Sequence, residues 1–474
     1  MSSTPARPRI VILGGGPAGC GAALELVRSG KANATLIERG AVVGGNAGSF
    51  EWAGQRLDYG SHRLHHATDP SILSDIKALL GDDLVSRERH GRIRLRGQWV
   101  HFPPQALDLL RRLDRRFALG MLRDVALGPL RRRHPAGPES FASVLLQHLG
   151  PTMCEQFYFP YARKIWGAPP EALSAIQARK RVSAATISKL VRRVIRPPGA
   201  GRFYYPRRGF GQITESFADA ARGRGAELLL GWSVTSVRRA GASRSWVVVA
   251  ERDGAVREIP ADQVWSTIPI TLLARMTDPP PPPGILEATE QIVYRAMVLV
   301  YLKLDVPRFS ATDAHYFPEE NVAMTRLSEP KNYSGTDEPA GSTVLCAEIP
   351  CATTDPLWSM ADDAMGQLVA EDMARAGLTL PRAPSAVLTR RLAQAYPIYR
   401  RGYEGPFGEL DRWSSSVPGL LVFGRQGLFA HDNTHHALFM AYAAVDCLRS
   451  DGSFDQARWD GHYRPIFATH VVED

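Results

Sequence analysis

Gly14, Gly16 and Gly19 stand at the spacing that lets backbone, rather than side chain, cradle a pyrophosphate. Gly14 permits a tight turn, Gly16 a close approach of backbone to phosphate, and Gly19 close packing of helix on strand. Pro17 and Ala18 lie between them, at the start of a helix whose free N–H groups and positive dipole end suit an anion. Glu38 comes 22 residues after Gly16, the reach of a carboxylate that accepts from a pair of ribose hydroxyls. His62 and His431 are of a second kind: imidazoles able to give or take a proton near neutral pH. Each can equally be a structural histidine satisfied by backbone.

The elements around the glycines must be a strand, a turn, a helix and a second strand. Residues 9–13 (Arg-Ile-Val-Ile-Leu) read as a short buried strand. An amphipathic helix from Cys20 to about Ser29 is stopped by Gly30, and a strand from Ala34 to Ile37 delivers Glu38. A helix is expected over Ile213–Arg222, one strand over Leu228–Val237, and a hairpin over Trp246–Ala250 and Ala255–Ile259. Further strands are expected over Val264–Ile268 and Leu420–Arg425, and a helix over His435–Leu448.

The residues after Glu38 separate one dinucleotide from another. Arg39 leads into a second glycine cluster, with Gly44, Gly45 and Asn46, ending at Ser49. This segment resembles the ER-x-x-x-x-GG-x-x-x-S stretch of FAD enzymes in the amine oxidase superfamily. Asp58 to His66, which includes Ser61, His62, Arg63 and His65, resembles the D-x-G-x-H-x-x-H segment of UDP-galactopyranose mutases and protoporphyrinogen-oxidase-like proteins. Phe157 to Gly167, ending in Lys164-Ile-Trp166-Gly, is similar to their Y-x-x-K-x-W-G motif. Tyr205 to Gln212 is similar to the segment that re-enters the FAD domain. Gly424 and Arg425, then Thr434 at the start of the last helix, resemble the terminal FAD motif.

The resemblance implies an α/β fold: a Rossmann-type, glutathione-reductase-like FAD domain with a discontinuous α+β substrate domain. The first is expected over 1–66, 205–275 and 390–474, the second over 67–204 and 276–389, with the proline run Pro279–Pro283 at one boundary. It implies FAD held without a covalent bond by Gly14, Gly16, Pro17, Ala18, Gly19, Glu38, Arg39, Gly44, Gly45, Asn46, Ser61, His62, Val234, Gly424, Arg425 and Thr434. In the relatives the first histidine sits over the flavin, the valine meets the adenine edge through its backbone, and the tryptophan lines the substrate pocket. His62, Arg63, Trp166, His431 and Asn433 are therefore the expected catalytic or pocket residues; Trp166 can also be a core aromatic capping a helix end. Tyr396 and Tyr399 sit on an expected strand arriving at the flavin.

One departure bears on the substrate class. Mutases carry tyrosines and an aspartate after the arginine of the last motif, and these grip the diphosphate. Here the stretch is Leu428-Phe429-Ala430-His431-Asp432-Asn433. The expectation is a flavoenzyme that oxidises a small organic molecule by hydride transfer to flavin N5. The rivals are a redox-neutral sugar mutase and a flavin-stabilised binding protein.

Composition sets the remaining bounds. Of 57 basic residues 7 are Lys and 50 are Arg, and net charge is +9. The basic residues are spread along the chain, so no nucleic-acid partner is expected. Residues 105–134 are the exception, with eight arginines, among them Arg112, Arg115, Arg116 and Arg123, against Asp108, Asp114 and Asp124, and with apolar Leu107, Leu110, Leu113, Phe117 and Met121 at near-helical spacing. They read as a basic amphipathic helix at a membrane surface or beside an anionic substrate, or as a solvated helix packing its leucines on the core. Mean hydropathy is −0.18. No run reaches the ~18 apolar residues of a membrane span and no signal peptide is seen, so a cytoplasmic protein is expected. The five cysteines form no metal or disulfide pattern, and no metal ligand set is expected.

Overall fold

The computed structural model describes residues 7–102, 112, 115–128, 139–181, 201–241 and 245–472. Leu107, Leu110 and Leu113 of the expected basic helix lie outside them. Twelve strands and six helices carry the architecture relevant to the site. In chain order they are β1 (Arg9–Leu13), α1 (Pro17–Arg28), β2 (Asn33–Glu38), β3 (Gly91–Leu95), β4 (Gln98–Phe102), α2 (Arg115–Ala126), α3 (Phe159–Trp166), α4 (Gln212–Gly223) and β5 (Glu227–Leu230). Then come β6 (Gln263–Ser266), β7 (Tyr294–Leu304), β8 (Ala314–Tyr316), β9 (Arg326–Ser328), β10 (Thr343–Cys351), α5 (Asp362–Arg375), β11 (Ala386–Pro397), β12 (Leu420–Val422) and α6 (Thr434–Cys447).

Strands β5, β2, β1, β6 and β12 form a five-stranded sheet in that order, with every pairing parallel. A parallel sheet needs cover on both faces, which is why β1 is apolar after Arg9. Ile10 and Ile12 pack with Ala23, Leu24, Leu438 and Ala441 of α1 and α6. Val11 and Leu13 point the other way, toward Val248, Ile270 and Leu273. This is the Rossmann-type layering expected from the sequence.

Strands β11, β7, β10, β9, β8, β3 and β4 form a seven-stranded, mostly antiparallel sheet. One face is dry: Val298, Val300, Leu345 and Ala347 bury against Met365, Val369 and Met373 of α5. Alternation along the strands turns Met297, Leu299, Tyr301, Val344 and Cys346 to the opposite face, where they meet Leu57, Phe50 and Tyr59 from the first unit. β11 belongs whole to this second sheet, because it pairs with β7 from Tyr294↔Pro397 to Lys303↔Ala386. The boundary expected at residue 390 therefore falls inside a strand.

The strand expected over Leu228–Val237 is two strands in two sheets. β5 ends at Leu230, the chain turns at Gly231, and Ser233–Arg239 joins the hairpin Trp246–Arg252 and Ala255–Ala261. The turn is held by Trp232 N–H donating to Glu38 O at 3.0 Å. The five cysteines are free and buried. No helix among the described residues is long and apolar enough to cross a membrane.

Candidate flavin and substrate site

The turn between β1 and α1 is built from backbone. Gly14 sits at φ +98, a conformation side chains rarely adopt, and its N–H donates to Ile37 O at 2.9 Å. A Cβ on Gly19 would lie 1.9 Å from Gly14 O, so α1 can approach the turn only because residue 19 has no side chain. A Cβ on Gly16 would meet nothing within 4 Å: that edge of the turn opens outward at the N-terminus of α1. Pro17 and Ala18 begin the helix, as expected.

Glu38 closes the cradle. Its carboxylate accepts from Gly15 N–H and from Gly40 N–H, both at 2.7 Å, and so is fixed at the lip of the turn. Each oxygen keeps a lone pair for a further donor. The second glycine cluster lies on the first: Gly44 N–H donates to Gly15 O at 2.8 Å, and a Cβ on Gly45 would lie 3.4 Å from Gly16 Cα. Arg39 is exposed beside Glu38, and Val234 is half-buried on the strand beyond the Gly231 turn.

Asn46, Arg425 and Gln426 stitch this unit to the second sheet. Asn46 and Gln426 both donate to Gln394 O, at 3.2 and 2.8 Å, and Arg425 donates to Ala395 O at 2.8 Å. Trp166, Tyr396 and His431 then form an aromatic cluster. Trp166 stands edge-on to both partners, with centroids 5.8 Å from Tyr396 and 5.0 Å from His431, and the Arg425 guanidinium lies 5.3 Å over Tyr396. His431 is buried, and its backbone N–H donates to Tyr399 OH at 3.0 Å while that hydroxyl donates to Phe429 O. Asn433 caps α6 in a reciprocal box with His436, and Thr434 is the first helical residue. The N-terminal end of α6, whose dipole favours negative charge, thus emerges beside this cluster.

His62 and Arg63 belong to a second part of the site. His62 Nε2 is 3.1 Å from Tyr59 O, a carbonyl that can only accept, so Nε2 carries the proton and Nδ1 the lone pair. The ring stacks on Phe210 at 5.2 Å. Burial lowers the His62 pKa below the ordinary histidine value, against the pull of Asp58, and the ring is neutral at physiological pH. Arg63 is engaged: it donates to Tyr333 OH at 3.0 Å, Tyr316 OH at 3.1 Å and Asp313 Oδ2 at 3.4 Å.

Four residues of this wall escaped sequence reading: Arg326, Glu348, Tyr316 and Tyr333. Arg326 makes a bidentate pair with Glu348, at 2.8 and 2.7 Å. Burial opposes the Arg326 charge, and Glu348 together with Tyr316 and Tyr396 more than offsets it, holding the guanidinium well above its ordinary value. The same carboxylate accepts from Ser61 N–H at 2.8 Å and so pins the Gly60–Arg63 turn to β10. Ser61 Oγ is buried and has no hydrogen-bond partner among the described residues. A small cleft lies here between Ser61, His62, Ser328, Tyr333 and Cys346.

A third group lies behind α6. Ligand atoms of Asp432, His436 and His470 come within 4.8 Å of one another, but Lys180 Nζ lies 3.6 Å from Asp432 Oδ1 and His470 Nδ1 lies 3.0 Å from Asp432 Oδ2. Lysine thus already supplies the positive charge, and the group reads as an ion-paired network.

The open edge at Gly16, the fixed Glu38 carboxylate, the glycine stack and the orphaned Ser61 hydroxyl fit a flavin dinucleotide. The sequence profile described as flavin-containing amine oxidoreductase matches residues 17–441. The chain belongs to that family. A flavin cofactor and membership of an enzymatic, flavin-dependent oxidoreductase group come with it. The chain is 27% identical over 313 residues to a phytoene dehydrogenase of Streptomyces griseus, a match spanning 58% of this chain and 57% of that protein's length. Its fold is similar to that of reduced UDP-galactopyranose mutase, with TM-score 0.77, 22% identity and 93% of each chain covered. It is also similar to an Exiguobacterium sp. structure provisionally named a protoporphyrinogen oxidase, with TM-score 0.70, 22% identity, and 94% and 98% of the two chains covered. At these identities the structural likeness shows the fold alone, and it is the fold expected from the sequence.

Proposed function

We propose that this flavoenzyme binds FAD without a covalent bond and oxidises a small organic substrate. Bound in the glycine cradle, FAD would supply hydride acceptance at N5. Gly14 to Gly19 and the start of α1 would hold the pyrophosphate, Glu38 the ribose hydroxyls, and the N-terminus of α6 the electron-rich edge of the ring. His62, neutral and with its Nδ1 lone pair available, would accept the substrate proton. Trp166, Tyr396 and His431 would wall the substrate and exclude water.

The observation that carries this reading is the charge balance of the wall. A diphosphate needs several convergent, uncompensated donors. Arg326 is neutralised by Glu348 and Arg63 by Asp313, while Phe429 and His431 stand in the stretch where a mutase has tyrosines. The test is to titrate UDP and UDP-galactose against oxidised and dithionite-reduced protein, following flavin fluorescence, and to assay furanose formation. No saturable binding is expected. Tight UDP binding with pyranose–furanose exchange would replace oxidation by redox-neutral isomerisation.

A further inference from the structure

Six large hydrophobic side chains are exposed among the described residues, and four of them are Leu119, Leu122, Val125 and Leu127, on α2 or directly after it. They are 66%, 64%, 60% and 46% exposed. The helix has an ordinary inner face. Phe117 is buried against Ile93, Val100 and Tyr316, with Met121 beside it, and buried Asp124 accepts from Thr152 N–H at 2.7 Å. At 3.6 residues per turn, Leu119 and Leu122 fall on the side opposite Phe117, Met121 and Asp124, and Val125 continues their i, i+3 ridge round to the border of the buried face. A solvated helix would carry only polar groups there. This one sets exposed leucines among arginines.

Arg115 lies between the two leucines on that outer face, and Arg123 and Arg116 flank it on one side. Arg112, Arg115, Arg116 and Arg123 are all exposed. Arg112 donates to Trp99 O, and Arg123 lies 3.5 Å from Asp124 Oδ1. Asp124 is the only carboxylate between Arg115 and Leu127, and it points inward. An apolar ridge rimmed by arginine, with no acid on the outer face, is complementary to one kind of surface: acyl chains beneath anionic headgroups. A second copy of the same face would set arginine against arginine.

We infer that α2 is a membrane-docking helix, lying in the interface of an anionic bilayer with the ridge of Leu119, Leu122 and Val125 immersed and the arginines at headgroup level. Its buried face packs on Tyr316, the residue whose hydroxyl accepts from Arg63. Docking therefore sets the substrate wall one helix diameter, ~10 Å, from the membrane surface. Such docking goes beyond the proposed oxidation and stands whether or not that reaction is correct.

The test uses full-length, flavin-loaded protein in vesicle co-sedimentation. Vesicles of phosphatidylcholine mixed with phosphatidylglycerol are compared with phosphatidylcholine alone. Binding to the anionic vesicles, released by added salt, is expected. Leu119→Glu with Leu122→Glu should cut partitioning at least tenfold, with visible absorbance and thermal midpoint retained because both positions are exposed. Arg115→Gln and Arg116→Gln should each cost roughly fivefold. Wild-type protein that stays in the supernatant at low salt overturns the inference, as does a leucine double variant that binds equally. Light scattering that shows a dimer dissolved by the leucine substitutions, with no vesicle binding, assigns the face to a second copy and also overturns it.

Discussion

The cradle after β1 and the wall on the seven-stranded sheet handle charge by different means. In the cradle almost every polar contact is made by backbone: Gly15, Gly40 and Gly44 N–H groups, with Glu38 as the one charged side chain. Its residues are close in sequence, and its shape depends on the absence of side chains. The wall is made of long side chains from distant segments, with Arg63 bound to Asp313 and Arg326 to Glu348. The first can present N–H dipoles to an anion without placing a net charge in the interior. The second buries full charges and must balance each one. A site of the first kind fails when atoms are added, and one of the second kind fails when a partner is removed.

That contrast sets the order of expected effects. Gly19→Val should be the most damaging single change, because the clashing atom is the backbone oxygen of Gly14. The cost should exceed the ~1–3 kcal/mol of ordinary overpacking, and the expected result is no soluble yellow protein, checked by flavin content and circular dichroism. Next, Glu348→Ala leaves Arg326 buried without its partner and should cost ~3–5 kcal/mol in denaturant unfolding. Replacing both, as Glu348→Leu with Arg326→Met, should recover most of that loss. A double variant no better than the single would show that the pair does not act as a unit. Glu38→Ala removes a charge-assisted acceptor worth ~1.5–3 kcal/mol, so FAD affinity should fall roughly tenfold to a hundredfold, with folding of the wall unaffected. Equilibrium dialysis checks this; unchanged affinity would remove Glu38 from the cofactor site.

The effect that vanishes at neutral pH, and is the smallest there, is acid sensitivity of the wall. Burial, helped by neighbouring Arg92, lowers the pKa of His315 to about 3, from 6.5. The unfolded chain therefore takes up a proton first. Stability is full above about 6.5 and falls as pH drops toward about 3, by up to ~1.4 kcal/mol per pH unit. His315→Gln should flatten the dependence of unfolding free energy on pH in that window. An unchanged slope would show that other groups govern it.

The same contrast explains how much could be read from sequence. Gly14, Gly16, Gly19 and Glu38 act within one βαβ unit, so spacing alone reveals the cradle. The terminal strand and helix, which deliver Arg425 and Thr434, are likewise contiguous. Arg326 and Glu348 lie on neighbouring strands, and nothing in either strand gives the register that sets them together. The available signal was Glu348 itself, the one charge in Thr343–Cys351, a strand buried from end to end. A buried acid there implies a basic partner without naming it. The break at Gly231 was hidden for a related reason: both sides of it are β-rich, and the tertiary contact from Trp232 to Glu38 decides the turn.

In the proposed function the cradle and the balanced wall together oxidise a substrate through FAD. The most direct measurement is anaerobic titration of the yellow holoprotein with a panel of amines, alcohols and porphyrinogen-type compounds, following the flavin's visible absorbance and then admitting oxygen. At least one class should bleach the flavin stoichiometrically, colour should return on reoxidation, and His62→Ala should slow bleaching without releasing FAD. Turnover of a sugar nucleotide by the reduced protein, with no oxidant consumed, would instead make the protein a redox-neutral isomerase.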